Sequence, residues 1–398
     1  MKKMIVKLTK KVFQLKEWEK PYKNLRKHLD KMPVGFPPTF SGIVLRLLKM
    51  MFTIPEAQVA IYLDYKPEPL ETIFKKGKDS GISKDKFQKA LDGLDIKGSI
   101  FAKQQNGEKH YYLAPFAVGM YEHQVKTLTP EYYLALREYA IKKFGLELFS
   151  SNPPQVRTIP IEKSISPENN VSSYDEIRIL IKNGRKKISV TECICKKAKD
   201  LVNEPCRTTD RRELCLYLAD FHDTFASHQW SKPITEEDAL ELLDQAEKDG
   251  LVLLSGNAQE AYFICACCHC CCGLIEFFGS LPGPAHFISS NYYAQLDPET
   301  CTACGKCLKR CQFDALEMSE KGKGANKTKT ILFKKNRCVG CGLCVSTCKT
   351  ESLALIKKEK EVVPPKTHAH LFDEIMKNKS IPPVKYTKTA WNIWKSRN

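Results

Sequence analysis

Apolar residues in the first third of the chain recur at helical spacing, and a short β-rich stretch follows them. Phe87, Leu91 and Leu94 fall on one face of a helix that Ser83 would cap. Two β-rich runs then flank the dipeptide Asn106-Gly107, and Asn-Gly between such runs is a strong hairpin signal. Helices followed by a hairpin predict a winged-helix-like domain over residues 41–121.

The centre of the chain mixes helical and extended patterns. The spacing predicts helices over residues 174–182, 213–227 and 236–248, and strands over 188–193 and 251–254. Thr235 is suited to cap the third helix and Gly250 to end it. The predicted fold class is therefore α+β, with several domains.

The formal net charge of +17 is concentrated in residues 1–31, 319–337 and 357–398. Basic segments attract acidic partners, nucleic acid or anionic surfaces, but solvated tails are the usual case. Lysines interrupt the apolar residues of the first fifteen positions, and no later apolar stretch is long enough to cross a bilayer. We therefore expect a cytoplasmic protein without a transmembrane segment.

The 18 cysteines all lie between Cys193 and Cys348. Cytoplasmic thiols stay reduced, so clustered cysteines indicate metal binding rather than disulfides. The last eight form an internal repeat, in which the spacing Cys-x2-Cys-x2-Cys-x3-Cys occurs twice at a constant offset of 37 residues. They are Cys301, Cys304, Cys307 and Cys311, followed by Cys338, Cys341, Cys344 and Cys348.

This spacing favours two [4Fe-4S] cubanes. Three thiolates on one tight turn reach irons of the same cube, while the fourth points towards the other cube. Gly305 and Gly342 allow the backbone to approach the clusters closely. A zinc ribbon is the alternative, but it leaves four ordered cysteines unexplained.

The repeat resembles the bacterial-type dicluster ferredoxin family over residues 291–357. The resemblance implies crossed ligand sets, with Cys301, Cys304, Cys307 and Cys348 on one cluster and Cys338, Cys341, Cys344 and Cys311 on the other. Members of that family usually place proline after each fourth cysteine, whereas this chain has Gln312 and Lys349 there. The substitutions leave ligation intact and alter the local backbone.

Other short sequence segments resemble those of large ferredoxin-domain proteins of anaerobes. They are Gly35-Phe36-Pro37, Ser289-Ser290-Asn291-Tyr292 and the cysteine run that begins at Cys265. The resemblance implies a winged-helix-like unit ahead of a Cys-rich segment. The predicted division is a basic leader (residues 1–40), the winged-helix-like domain (41–121), a helix and linker (122–160), a Cys-rich mixed α/β middle domain (161–290), a dicluster ferredoxin domain (291–358) and a basic tail (359–398).

Ten cysteines precede the repeat and form two groups in the sequence. The first group is Cys193, Cys195, Cys206 and Cys215, and the second is Cys265, Cys267, Cys268, Cys270, Cys271 and Cys272. We expect Cys206 in a loop and Cys215 on a helix, and we expect the second group to serve two sites or one site with spare thiols. One or two further Fe-S clusters are predicted, with a structural zinc site or buried free thiols as alternatives. Cys271-Cys272-Gly273 also resembles the CCG motif of heterodisulfide-reductase-like subunits, which bind noncubane clusters.

The predicted function is electron transfer by two [4Fe-4S] clusters, as a carrier or a subunit in an anaerobic redox system. The expected partners are redox proteins or oxidoreductase subunits. The alternative is a redox- or iron-responsive regulator that binds DNA through the winged helix. Lys84, Lys86 and Lys89 on the candidate recognition helix are balanced by nearby aspartates, which does not favour nucleic acid. No catalytic residues are assigned, because the sequence shows no nucleotide-binding loop or nucleophile triad.

Overall fold

The computed structural model of the chain describes residues 17–165, 172–183, 187–218, 230–322, 327–380 and 384–397. The chain divides into two compact units, residues 1–148 and residues 149–398. In the part of the chain that is described, no helix is both long and apolar enough to span a bilayer. The predicted sixfold division of the chain stays a prediction.

The first unit is mainly helical, with one small sheet. Its helices are α1 (Lys20–Leu29), α2 (Ile43–Met51), α3 (Ile54–Ala60), α4 (Leu70–Lys76), α5 (Lys84–Ile96) and α6 (Pro130–Tyr139), and α7 (Gly145–Phe149) ends it. Its strands are β1 (Glu68–Pro69), β2 (Phe101–Gln105) and β3 (Glu108–Tyr112), in the antiparallel order β1-β3-β2.

The predicted hairpin of the first unit is confirmed. Asn106 and Gly107 both adopt positive φ, 53° and 80°, and this is the conformation of a two-residue type I′ turn. The predicted helix after Ser83 is also present, as α5. Phe36 is buried, and the Tyr139 hydroxyl donates to the Pro37 carbonyl, so this end of the predicted leader packs into the first unit. The winged-helix assignment itself stays a prediction.

The second unit is built on a six-stranded antiparallel sheet. The sheet strands are β4 (Val156–Ile159), β5 (Ile188–Glu192), β6 (Glu213–Leu218), β7 (Lys232–Ile234), β8 (Val252–Gly256) and β9 (Phe263–Cys267), in the order β4-β8-β9-β6-β5-β7. The helices around it are α8 (Ile177–Asn183), α9 (Ile194–Leu201), α10 (Glu236–Asp249) and α11 (Gly273–Gly279). Thr235 and Asp238 form the capping box of α10, and Gly250 ends it in the left-handed conformation, as predicted.

The predicted helix over residues 213–227 is wrong where the structure describes it. Residues 213–218 form β6, which pairs with β5 on one side and β9 on the other, and residues 219–229 lie outside the described residues. Leu214, Leu216 and Leu218 are buried together with the residues between them. A strand in the middle of a covered sheet reads as a continuous apolar run, which local spacing alone cannot distinguish from a buried helix. Cys215 therefore lies on a strand and not on a helix.

The repeat and the tail complete the second unit. Here β10 (Tyr292–Leu296) pairs with β13 (Leu353–Lys357), and β11 (Leu316–Lys321) with β12 (Thr328–Phe333). The basic segment over residues 319–337 includes the end of β11 and all of β12, and its residues 323–326 lie outside the described ones. One helix, α12 (Lys306–Arg310), lies between β10 and β11. Two more, α13 (His368–Asn378) and α14 (Val384–Lys395), come after β13.

Candidate metal centres

The first three cysteines of the repeat lie around the start of α12, and the last cysteine of the repeat lies beside them. The thiol of Cys307 is close enough to interact electrostatically with those of Cys301, Cys304 and Cys348. Gly305 takes a φ of +73° immediately before α12, which lets the turn close tightly. Cys304 is exposed and Cys307 is buried, so this set of four thiols lies at the edge of the unit.

The second set of four thiols is more deeply buried. One pocket is lined by all four of its members, Cys311, Cys338, Cys341 and Cys344. Burial raises the pKa of Cys341 to about 12, so as a bare thiol it stays protonated at neutral pH. A cation or a metal cluster is needed to stabilise four thiolates in such a pocket.

Backbone amides are directed at the sulfurs of the second set. The N–H of Ala294 donates to Cys338 Sγ at 3.3 Å, and the N–H of Ala315 donates to Cys311 Sγ at 3.2 Å. Gly340 has a φ of +67°, and a Cβ there would lie 2.3 Å from the Tyr292 carbonyl oxygen. The loop can therefore pack against β10 only with glycine at this position. The donor set of thiols and directed amides fits an anionic iron–sulfur cluster.

Residues 294–352 match the 4Fe-4S dicluster domain family. This part of the chain is a ferredoxin-type domain, and the match indicates 4Fe-4S cluster binding rather than a zinc ribbon. Comparisons of the chain with curated proteins and with solved structures find no match.

Four of the upstream thiols form a compact group, called the tetrad here. Its members are Cys206, Cys268, Cys270 and Cys271, whose sulfurs all lie within 4.8 Å of one another. The Sγ–Sγ distance is 3.7 Å from Cys206 to Cys268 and 3.8 Å from Cys206 to Cys270. It is 3.5 Å from Cys268 to Cys270 and 3.7 Å from Cys270 to Cys271. The tetrad joins the loop after α9 to the loop after β9.

Lys196 of α9 points into the tetrad. Its side chain is buried, and its Nζ lies 2.8 Å from Cys206 Sγ and 3.2 Å from Cys268 Sγ. Burial is the largest single effect and disfavours the charged lysine, but the interactions with the Cys206 and Cys268 sulfurs together outweigh it, so the pKa of Lys196 is raised. The thiol of Cys271 and then Lys196 lower the pKa of Cys268. The site therefore holds thiolate charge and an ammonium group in direct contact.

The remaining six upstream thiols form a second group, called the ring here. Its members are Cys193, Cys195, Cys215, Cys265, Cys267 and Cys272. On the sheet side, Cys215 and Cys265 are register partners on β6 and β9, with sulfurs 3.9 Å apart. Cys215 also contacts Cys193, and Cys265 contacts Cys267.

The ring closes through residues at the starts of two helices. Cys193 immediately precedes α9 and contacts Cys195, and Cys195 contacts Cys272, which immediately precedes α11. Cys272 in turn contacts Cys267. Each ring thiol therefore interacts with two others.

The structure groups the upstream thiols differently from the sequence. Cys206 joins three members of the later cysteine run, and Cys193, Cys195 and Cys215 join the other three. The run from Cys265 to Cys272 thus contributes to two groups of thiols. Lys196 was not among the residues selected from the sequence, because one lysine in a lysine-rich helix gives no signal until the fold places it beside sulfur.

Proposed function

We propose that the protein is an iron–sulfur electron-transfer protein that carries two [4Fe-4S] clusters in its ferredoxin-type domain. It acts as a carrier or a subunit in an anaerobic redox system. The observation that carries this proposal is the placement of the fourth cysteine of each motif beside the other motif. Cys348 lies near Cys307, and Cys311 lies near Cys338 and Cys341. Two separate sets of four thiols are what two cubanes require.

The ligands of the two clusters follow from this placement. Cys301, Cys304, Cys307 and Cys348 hold the first cluster, and Cys338, Cys341, Cys344 and Cys311 hold the second. When bound, the clusters accept and release single electrons. The chain holds the thiolates in place, and the amides of Ala294 and Ala315 stabilise negative charge on the sulfurs. Burial of the second set keeps water away from its cluster.

The first cluster is the point of exchange with partners. Cys304, Lys306 and Lys309 are exposed at its edge, and Lys349 is exposed beside Cys348. A basic edge favours association with an acidic surface through electrostatic steering. The expected partner is therefore a redox protein, or a subunit of an oxidoreductase, with an acidic docking face.

The tetrad fits a single tetrahedral metal ion better than a cubane. Metal–sulfur bonds of about 2.3 Å place tetrahedral sulfurs about 3.8 Å apart. Four of the six Sγ–Sγ distances in the tetrad, 3.5 to 3.8 Å, match that edge. A cube binds its thiolates on four separate irons, which holds the sulfurs further apart. We infer that the tetrad binds one zinc or iron ion, with Lys196 offsetting part of the thiolate charge.

The experiment that tests the proposed function is metal and sulfide analysis of the anaerobically reconstituted full chain, together with EPR of the reduced protein. Two cubanes supply about 8 iron and 8 acid-labile sulfide. The paired variant Cys304→Ser/Cys341→Ser should lose iron and sulfide from both clusters. The variant Cys206→Ser, which alters only the tetrad, is the matched control and should keep them. Zinc without labile sulfide in the wild-type chain would contradict the proposal.

The regulator alternative receives no support from the first unit. Lys84 of α5 pairs with Glu71, and Lys109 of the hairpin pairs with Asp92 and Asp95. These lysines are already balanced by acids of the same unit, so they offer little net attraction to phosphate. A sequence-selective DNA complex that weakens steeply with salt and changes on oxidation would favour the regulator instead.

A further inference from the structure

The ring thiols are brought together by the sheet and not by one loop. The end of β5 places Cys193 beside β6, and Cys215 and Cys265 face each other across β6 and β9. Cys265 and Cys267 lie on the same face of β9, because side chains alternate along a strand. This face of the sheet therefore presents polarisable thiol groups where a sheet normally presents aliphatic side chains.

The ring is too open for a single ion. The sulfurs of the tetrad all lie within 4.8 Å of one another, and among the described residues no three ring sulfurs meet that condition. A tetrahedral ion needs its sulfurs about 3.8 Å apart. Two ions that share bridging thiolates would also bring at least three sulfurs that close together. The sulfurs of Cys215 and Cys265 lie 3.9 Å apart, but no third ring sulfur lies within 4.8 Å of both.

The surroundings of the ring suit bound thiolates. Cys193, Cys215, Cys267 and Cys272 are at most 8% exposed. The backbone N–H of Lys196 donates to the Cys193 sulfur, and that of Ile275 donates to the Cys272 sulfur. Backbone donors of this kind stabilise negative charge on metal-bound sulfur.

We propose that the six ring thiols together bind one polynuclear iron–sulfur cluster, distinct from the two cubanes and from the tetrad ion. Thiolates select iron–sulfur clusters, zinc or copper(I) among biological metal centres. Inorganic sulfide that bridges several irons would fill the centre that a single ion leaves empty. Six thiolates exceed the four that a cubane accepts, so this cluster would be larger than a cubane or differently shaped.

The first test is sulfide analysis of the wild-type full chain after anaerobic reconstitution. Two cubanes account for about 8 sulfides, and an ion in the tetrad adds none. The ring cluster predicts clearly more than 8 sulfides per chain, with at least about 4 more irons. A wild-type chain that saturates at about 8 sulfides would overturn the proposal, whatever metal the tetrad holds. This measurement does not depend on any variant folding.

The second test assigns the extra cluster to the ring. The variant Cys195→Ser/Cys272→Ser alters two adjacent ring members, and Cys206→Ser/Cys270→Ser alters two members of the tetrad. The ring variant should lose the sulfide above about 8 and the Mössbauer components that go with it, while the tetrad variant keeps both. Equal losses in the two variants, or none in the ring variant, would contradict the proposal.

A third variant separates this inference from the proposed function. Cys304→Ser/Cys341→Ser removes ligands of the two cubanes and leaves the ring intact. If the ring cluster exists, this variant keeps iron and sulfide that the ring variant lacks. Loss of all iron and sulfide in this variant would overturn the ring cluster, while loss of only the cubane share supports it.

Discussion

The side-chain oxygen of Gln312 accepts a hydrogen bond from the backbone N–H of His269 at 2.8 Å. His269 lies between two tetrad cysteines, and Gln312 follows Cys311, a member of the second set of four thiols. The amide nitrogen of Gln312 also donates to the Gly250 carbonyl, at 2.9 Å, and neighbouring Arg310 donates to the Glu247 and Lys248 carbonyls at the end of α10. Gln312, which stands where proline is usual, thus connects the ferredoxin-type domain to the tetrad loop through a hydrogen bond.

Gln312→Ala is expected to loosen this attachment. It removes two hydrogen bonds, one exposed and one partly buried, of about 1 kcal/mol each. Exchange of the His269 amide hydrogen should therefore become roughly fivefold faster, because each 1 kcal/mol of local opening is about a factor of five. Release of the tetrad metal to a chelator should also become faster.

The second motif offers a matched control for this variant. Lys349 occupies the same place after Cys348 and is exposed. Lys349→Ala should leave both the exchange of His269 and the retention of the tetrad metal unchanged. Equal effects of the two substitutions would show that the change at His269 does not depend on the hydrogen bonds of Gln312.

Local patterns predicted the parts of the structure that are local in sequence. Three features were predicted correctly: the Asn106-Gly107 turn, the α10 helix with its caps, and the repeated cysteine spacing. Each of them depends only on residues that are close together in the sequence. The prediction that Cys215 lies on a helix was wrong because its strand, β6, is held by pairing with β5 and β9, which are distant in sequence. The grouping of the upstream thiols differs from their order in the sequence for the same reason, since sheet register and not chain proximity decides which sulfurs meet.

Lys196→Met should weaken metal binding by the tetrad. The substitution keeps most of the apolar side chain but removes the ammonium group, which lies 2.8 Å from Cys206 Sγ. Loss of a group that contacts metal ligands typically lowers affinity about 10- to 100-fold. Competition with a chromogenic chelator would measure the change. Lys197→Met is the control, because Lys197 is adjacent in sequence and pairs with Glu192 instead; a similar loss there would count against a specific role for Lys196.

The crossed ligand sets predict which cluster each fourth cysteine affects. Cys311→Ser should alter the EPR signal and reduction potential of the buried second cluster, and Cys348→Ser those of the first. The reason is that Cys311 interacts with Cys338 and Cys341, while Cys348 interacts with Cys307. Cys344→Ser serves as the reference for damage to the second cluster. If Cys348→Ser gave the same spectrum as Cys344→Ser, the ligand sets would not be crossed.

The basic edge of the first cluster should govern the rate of electron exchange. Lys306→Glu/Lys309→Glu reverses two exposed charges beside Cys304. Oxidation of the reduced protein by an anionic one-electron acceptor should slow about tenfold at low salt, with less difference at high salt. A cationic acceptor should show the opposite trend. The same double substitution at Lys360 and Lys366, two exposed lysines on the tail side, is the control, and an equal effect there would indicate a general influence of net charge.

The His368 ring at the start of α13 lies edge-on against the Tyr262 ring, with centroids 3.7 Å apart. Both of its ring nitrogens are buried without a hydrogen-bond partner among the described residues, and burial lowers the pKa of His368 to about 3. A histidine freed from this site titrates near 6.5. Between these two values the opened state binds a proton that the folded state does not, so stability is lost as the pH falls through 6.5.

This linkage predicts a pH-dependent opening of α13. From pH 7.5 to 5.5, the free energy of local opening should fall by at most about 1.4 kcal/mol in the wild-type chain, since only the opened histidine becomes charged. Native-state hydrogen exchange of the α13 amides, corrected for intrinsic rates, measures that free energy. His368→Phe should remove the pH dependence, because the replacement cannot titrate. His370→Gln, which changes an exposed histidine two residues further along the helix, should retain it, and a flat wild-type profile would show that His368 does not leave its site when α13 opens.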